Sequence, residues 1–320
     1  METWRRGASA VRFTTARSFG RVRVTAGGPS GPRPGRPAAA RAFEASSRRA
    51  GARVLWFAVE DPSDIGHDRP AVVIGAEPVW GPGRWEHVVA TQSSVRSQIA
   101  RARNKGVGMT RWDPGRVRRS HDLRAVLDAW LSTRGLPPLG FMADPFVLAD
   151  PGDREVWVAG RDGQVEGYLG LVPGPEALVE WIIQRPRAPN GTAALLIDAA
   201  VRSLPAGVGF TLGMVPLSTH APLSTPAPAR PVRGLLAWTR AHATRFYNFE
   251  GLERFKAKFR PDRWRPLHLV TEGGPVTALT FHAVAAAFAG GSPTAFVARG
   301  LARAVADEAR AVRRRALSSP

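Results

Sequence analysis

The chain has 320 residues, enough for two modest domains or one large one, and at 44% hydrophobic it can bury a real core. It contains no cysteine, which excludes a disulfide framework, a thiolate metal site and a cysteine nucleophile. The net charge of +19 rests almost wholly on arginine, since Lys105, Lys256 and Lys258 are the only lysines, and it favours polyanions: nucleic acid or an anionic membrane surface.

Residues 1–50 hold eleven arginines against Glu2 and Glu44, are rich in Gly, Ala, Pro and Ser, and show no sustained period. They read as a disordered arginine-rich tail, dispensable for folding. Strands are expected over 54–59 and 71–74, a helix over 85–90, and an amphipathic helix over 95–104 that Gly106 ends. That last helix sets Val95, Ile99 and Ala102 on one side and Arg96, Arg101 and Arg103 around the other, with Lys105 just after it. A second amphipathic helix spans 121–133. Strands follow at 156–159, 164–172 and 177–183, then a helix at 192–204 and a strand at 209–214. Helices over 235–246 and 251–259 precede a closing strand at 267–270. Residues 296–317 read as an arginine-rich helix with a thin apolar stripe. No apolar run reaches the ~18 residues of a spanning helix. The expected location is therefore cytoplasmic, or peripheral at the inner face of a membrane.

Three strands, a helix, a strand and a helix are the order of a GNAT acyltransferase core. The expected fold is α/β (α+β). An Ala/Arg-rich helical tail is expected over 276–320.

The densest signal lies at residues 246–264, Phe-Tyr-Asn-Phe-Glu-Gly-Leu-Glu-Arg-Phe-Lys-Ala-Lys-Phe-Arg-Pro-Asp-Arg-Trp, which gathers two of the three lysines among aromatics. This segment resembles a signature of the C-terminal domain of phosphatidylglycerol lysyltransferases. Further blocks follow that family's order. They are the arginine helix at 94–107, Trp130-Leu131 with Arg134 and Gly140-Phe141, Ala188-Pro189-Asn190-Gly191, and Leu212–Ser218. The resemblance implies two GNAT-like cores in tandem, here a first over 51–135, short enough to imply truncation, and a second over 136–275. It also implies transfer of an aminoacyl group from charged tRNA to an anionic lipid, with no cofactor beyond the aminoacyl-tRNA donor.

Such a transfer must stabilise an oxyanion, take a proton from the acceptor hydroxyl and return one to the leaving oxygen. Candidates are Tyr247 as a hydrogen-bond donor, Lys256 and Lys258 near the donor end, and Glu180 as a carboxylate. The two lysines diverge by about 200° on a helix and cannot serve one point. Asn190 is expected to cap the helix that begins near Gly191, and Arg187 precedes it in a turn suited to an anion. Glu250 reads as a cap or a base. Arg96, Arg101, Arg103 and Lys105 are the expected tRNA contacts, through phosphates. Each residue also has a plainer reading, as a solvated charge, an ordinary cap or a core side chain. The seven histidines show no metal-ligand spacing, so no metal is expected.

The chain departs from the family pattern at two positions that commonly hold acids, here Trp181 and Ala194. Glu180 and Asp198 remain as nearby carboxylates. Two rival readings stay open: a GNAT-type N-acetyltransferase using acetyl-coenzyme A, and a non-catalytic member that kept the fold.

Overall fold

The computed structural model describes residues 1–133, 141, 147–221 and 249–290. Strands β1 (Glu2–Arg6), β2 (Ser9–Arg17) and β3 (Arg21–Ala26) form an antiparallel ribbon. Helix α1 (Arg36–Arg49) then crosses over to β4 (Ala52–Val59), which pairs parallel with β3. After β5 (Ala71–Trp80) come α2 (Arg84–Thr91), α3 (Ser93–Asn104), β6 (Gly108–Trp112), α4 (Pro114–Arg119) and α5 (His121–Leu131). The plan then repeats. Strands β7 (Glu155–Arg161), β8 (Gln164–Val172) and β9 (Glu176–Gln184) are antiparallel, α6 (Thr192–Arg202) crosses over, and β10 (Gly209–Thr211) pairs parallel with β9. Strand β11 (Val215–Pro216), helix α7 (Phe249–Ala257), strand β12 (Arg263–Thr271) and helix α8 (Ala278–Ala289) complete the described chain.

All of the described strands belong to one mixed sheet, ordered β1-β2-β3-β4-β12-β5-β10-β9-β8-β7-β6, with β11 on β5. Each half is covered on both faces, so four apolar clusters form. In the first half, Phe43 of α1 packs with Val11, Phe13 and Trp56, while Ala283, Ala286 and Ala287 of α8 pack near Val22, Val24 and Phe57. In the second half, α3 and α6 cover Leu169, Leu171 and Phe210, and α5 covers Tyr168, Val158 and Ile183. This is the arrangement that a sheet with two apolar faces requires.

Three expectations are corrected here. Residues 1–50 are not a disordered tail: they supply β1, β2, β3 and α1. Their order follows from period-two burial, with Val11 and Phe13 inward and Arg12 outward, then Val22 and Val24 inward and Arg21 outward. The first core is consequently not truncated, because its three antiparallel strands begin at residue 2. A boundary at 135 also cuts across paired structure: β6 pairs with β7, and β12 inserts between β4 and β5. The other expected elements that fall on described residues agree in type, while β6 and α4 have no counterpart among the expected ones. The helices expected at 235–246 and 296–317, together with Arg134 and Gly140, lie outside the described residues.

Candidate functional site

Helix α7 is clasped to the turn that follows β10. Lys256 is buried and donates to Gly213 O at 2.8 Å and Met214 O at 3.1 Å. One helical turn earlier, Glu253 Oε1 accepts from Ser218 Oγ at 3.0 Å, Thr219 N at 2.9 Å and Thr219 Oγ1 at 2.6 Å. Both ends of residues 213–219 are thus held by one face of α7. The turn must also pass close to the sheet. A Cβ on Gly75 would meet Val215 O at 2.3 Å, so only glycine lets β11 lie on β5.

Burial pushes the Lys256 ammonium down to about 7, with Glu77 pulling the other way. Burial raises the Glu253 carboxyl, but hydrogen bonds from Thr219 and Ser218 outweigh it and hold the group below its usual range. Glu253 therefore stays an anion. Its Oε1 lies 3.7 Å from His220 Nε2, and the His220 ring stacks on Trp264 at 4.3 Å and 10°. The His220 side chain keeps 44% of its surface, enough to meet a substrate.

Lys258 points elsewhere, as the helical geometry requires. It donates to Gln98 Oε1 of α3 at 3.1 Å and stands 4.3 Å from the Phe255 ring centroid and 4.6 Å from that of Phe259. Burial lowers its pKa to about 8. Among the described residues it makes one hydrogen bond, which leaves two of its three protons for another acceptor. Gln98 also packs on the turn before α6. A Cβ on Gly191, which has φ +99°, would sit 1.9 Å from Gln98 O.

The carboxylates named from the sequence are committed. Glu180 receives two hydrogen bonds from Arg154, that from Nη2 at 3.0 Å. Asp198 is buried and accepts from Trp85 Nε1 at 3.0 Å, Arg103 Nη2 at 2.8 Å and Arg202 Nε at 2.7 Å. Trp181 lies over Gly170, where a Cβ would meet its ring at 2.4 Å, and Ala194 is in the core. Carboxylates do outnumber cations around Arg265, which pairs with Glu60, Glu77 and Glu176. Burial raises the Glu60 carboxyl, opposed by Arg265.

The other expected residues divide. Tyr247 lies outside the described residues. Glu250 is exposed inside the first turn of α7, where it faces the positive end of the helix rather than occupying the cap position. Asn190 is not the cap of α6: Gly191 takes that position without a side-chain hydrogen bond, and Asn190 and Arg187 are exposed beside it. The arginine helix is also divided. Arg96 donates to Val89 O and Ala90 O at the end of α2, and Arg103 is held by Asp198. Arg101 and Lys105 are exposed, one helical turn apart, without a side-chain partner among the described residues. Sequence reasoning missed Gln98, His220, Glu253 and Trp264. Each lies in or directly beside a motif block, which was the one signal available. Among the described residues no group of His, Asp and Glu is placed to hold a metal.

The chain belongs to the phosphatidylglycerol lysyltransferase C-terminal family, whose model matches residues 3–271. Two solved structures share the fold. One is the C-terminal domain of a proposed lysylphosphatidylglycerol synthetase from Agrobacterium fabrum, 22% identical, covering 87% of this chain and 84% of that one with a TM-score of 0.66. The other is L-PGS from Bacillus licheniformis, 19% identical, covering 87% and 85% with a TM-score of 0.64. No curated protein matches the chain significantly. No described helix is long and apolar enough to cross a membrane.

Proposed function

We propose that the chain is an aminoacyltransferase that moves an aminoacyl group from charged tRNA to a hydroxyl of an anionic phospholipid such as phosphatidylglycerol. One observation supports this above the others: four sequence blocks far apart in the chain are linked by contacts around α7. Lys256 and Glu253 hold the turn at 213–219, and Lys258, just after α7, bonds Gln98, whose backbone packs on Gly191, in a chain matched to the family from residue 3 to 271.

In this reading the acceptor oxygen attacks the ester carbonyl carbon. Its proton passes to His220 Nδ1, with Nε2 turned to Glu253. The bond to the ribose oxygen then breaks, and that oxygen takes the proton. Tyr247 donates a hydrogen bond to the carbonyl oxygen as charge develops there. Lys258, beside the turn of Arg187, Asn190 and Gly191, meets a substrate phosphate. Lys256 and Glu253 hold the turn that carries His220. Arg101 and Lys105 contact tRNA phosphates. Glu180 is bound to Arg154 and serves to place it.

The transferred group is small or uncharged, such as alanyl. What supports this is the replacement of the two acids common in the family by Trp181 and Ala194, with Glu180 and Asp198 already paired with arginine. The test is a transfer assay with phosphatidylglycerol and competing charged tRNAs, read by mass spectrometry of the extracted lipid. An aminoacylated lipid is expected. Its absence, with turnover of acetyl-coenzyme A instead, overturns the reading. Lysyl-tRNA as best donor overturns the specificity alone.

A further inference from the structure

Two large apolar side chains inside the folded chain stand out in solvent, Phe19 at 77% and Leu279 at 51% exposure. Phe19 is the tip of the β2–β3 hairpin and has φ +47°. The left-handed region suits glycine or asparagine, and a bulky residue there is strained. The ring gains little inside the protein, its aromatic neighbour being the His282 ring at 5.4 Å. The tip is nonetheless held firmly. Ser18 N donates to Gly20 O at 2.8 Å, Ser18 Oγ shares a hydrogen bond of 2.7 Å with His282 Nδ1, and Arg53 Nη2 donates to Ser18 O at 3.3 Å. Leu279 lies one turn before His282 on α8, so Phe19, His282 and Leu279 form one continuous patch.

The flanks of the hairpin tip are cationic on both faces of the sheet. Arg17 and Arg21 are direct cross-strand partners at the base of the tip on the face that α1 covers, a like-charge pairing that destabilises a sheet. Arg53 of β4 is in register with Val22, on the face that α8 covers. Among the described residues none of the three pairs with a carboxylate, although ten other arginines do. An exposed phenylalanine on a strained, rigid turn, ringed by unneutralised arginines, is costly for a protein that faces only water.

We propose that the β2–β3 tip and the first turn of α8 dock the domain on an anionic bilayer. Phe19 and Leu279 enter the acyl boundary, and Arg17, Arg21 and Arg53 meet lipid phosphates. The patch sits on the apolar cluster beneath α8, which reaches Met214, the residue whose carbonyl Lys256 holds. The inference rests on the reading above in one respect, that the acceptor lipid lies in that bilayer.

Flotation of the full chain with vesicles tests it, using phosphatidylglycerol mixed with phosphatidylcholine, and phosphatidylcholine alone. Phe19→Asn suits the left-handed turn, so its thermal melt should match or exceed that of the parent chain. Its affinity for the anionic vesicles should fall at least about tenfold. Leu279→Gln should act in the same direction, and Arg17→Gln with Arg21→Gln should cost about fivefold per residue. Vesicles of phosphatidylcholine alone should bind weakly throughout. Undiminished binding of Phe19→Asn to anionic vesicles overturns the proposal, as does a loss of tRNA affinity in place of vesicle affinity. Transfer to a short-chain phosphatidylglycerol dispersed as monomers should be equal in the parent and Phe19→Asn. If neither gives product while Phe19→Asn still loses vesicle binding, the transfer reading fails and the docking surface stands.

Discussion

The two halves of the molecule are built on one plan and put to different uses. Each has three antiparallel strands, a crossover helix and a parallel fourth strand. Each crossover helix also buries one carboxylate that binds an indole N–H and arginine. In the first half Glu44 of α1 accepts from Trp56 Nε1 at 2.8 Å and Arg69 Nη2 at 3.1 Å. In the second, Asp198 of α6 accepts from Trp85 Nε1, Arg103 and Arg202. The entries to the two helices differ. α1 starts after Gly35 with a proline in its first turn and with Arg36 Nε bonded to Gly31 O, whereas α6 starts at Gly191 against Gln98, next to Lys258. The shared scaffold thus diverges at the entry loops, and the candidate residues Gln98 and Lys258 lie at the second of them.

The severest test of this symmetry is removal of residues 1–50. That deletion takes away β1 to β3 and α1, with Val11, Phe13, Val22, Val24 and Phe43 all buried. At roughly 1.5–3 kcal/mol per large buried side chain, the loss of these five alone is comparable with the ~5–15 kcal/mol by which domains are stable. The shortened chain should show no cooperative thermal transition by circular dichroism. A melt within a few degrees of the full chain would sink the two-core description.

Next in size are the paired anchors. Glu44→Ala strands a buried indole N–H and Arg69, Asp198→Ala strands a buried indole N–H and two partly exposed arginines, and each should cost about 1–3 kcal/mol in urea unfolding. Similar losses are the signature of equivalent positions. A loss below about 1 kcal/mol at either would show that the shared geometry holds nothing together there.

The halves were unequally legible. Strands β7 to β9 and helix α6 stood out because large residues such as Val, Leu and Ile mark their buried positions. In the first half many buried positions are small or polar, among them Ala16, Ala39, Ala40, Glu44 and Ser47. That leaves little hydrophobic contrast, although Val11/Phe13 and Val22/Val24 kept the period of two. The candidate site was legible as motif blocks but not as contacts. Gln98 meets Lys258 across 160 residues and Glu253 meets Ser218 across 35, and no local pattern encodes such pairings. Asn190 misled because Asn is a good cap; the close approach of α3 instead demands glycine at the next position.

Lys256 gives a third, pH-dependent test, since the first half offers no buried lysine to match it. Its folded pKa of about 7 lies below the unfolded value near ~10.4, so the unfolded chain binds more protons between those limits. The penalty for burying the ammonium is complete below about pH 7 and is relieved as pH rises. Stability should therefore climb through that window by up to about 1.4 kcal/mol per pH unit. Lys256→Met should lose this slope while leaving Gly213 O and Met214 O without their donor. An identical slope in the variant would mean that another group is responsible.

The smallest expected effect concerns which half meets tRNA. Both halves are rich in exposed arginine, so net charge does not separate them. Arg12 and Arg41 of the first half are exposed, as are Arg101 and Lys105 of the second. Only the latter pair lies on the helix whose Gln98 touches both Lys258 and the Gly191 turn. A tRNA whose acceptor end enters there must lay its phosphates along α3. Each phosphate contact releases counterions, so loss of two should flatten the log–log dependence of affinity on salt by about 1.4–1.8. Arg101→Gln with Lys105→Gln should show that change in filter binding across ionic strength. Arg12→Gln with Arg41→Gln should leave the slope alone, which separates a contact from a general reduction in charge. Both pairs leave the buried anchors untouched, because Arg103 remains on Asp198. Equal flattening by both pairs would mean that tRNA sees only the overall field of the chain, and the assignment of its phosphates to α3 would lose its electrostatic support.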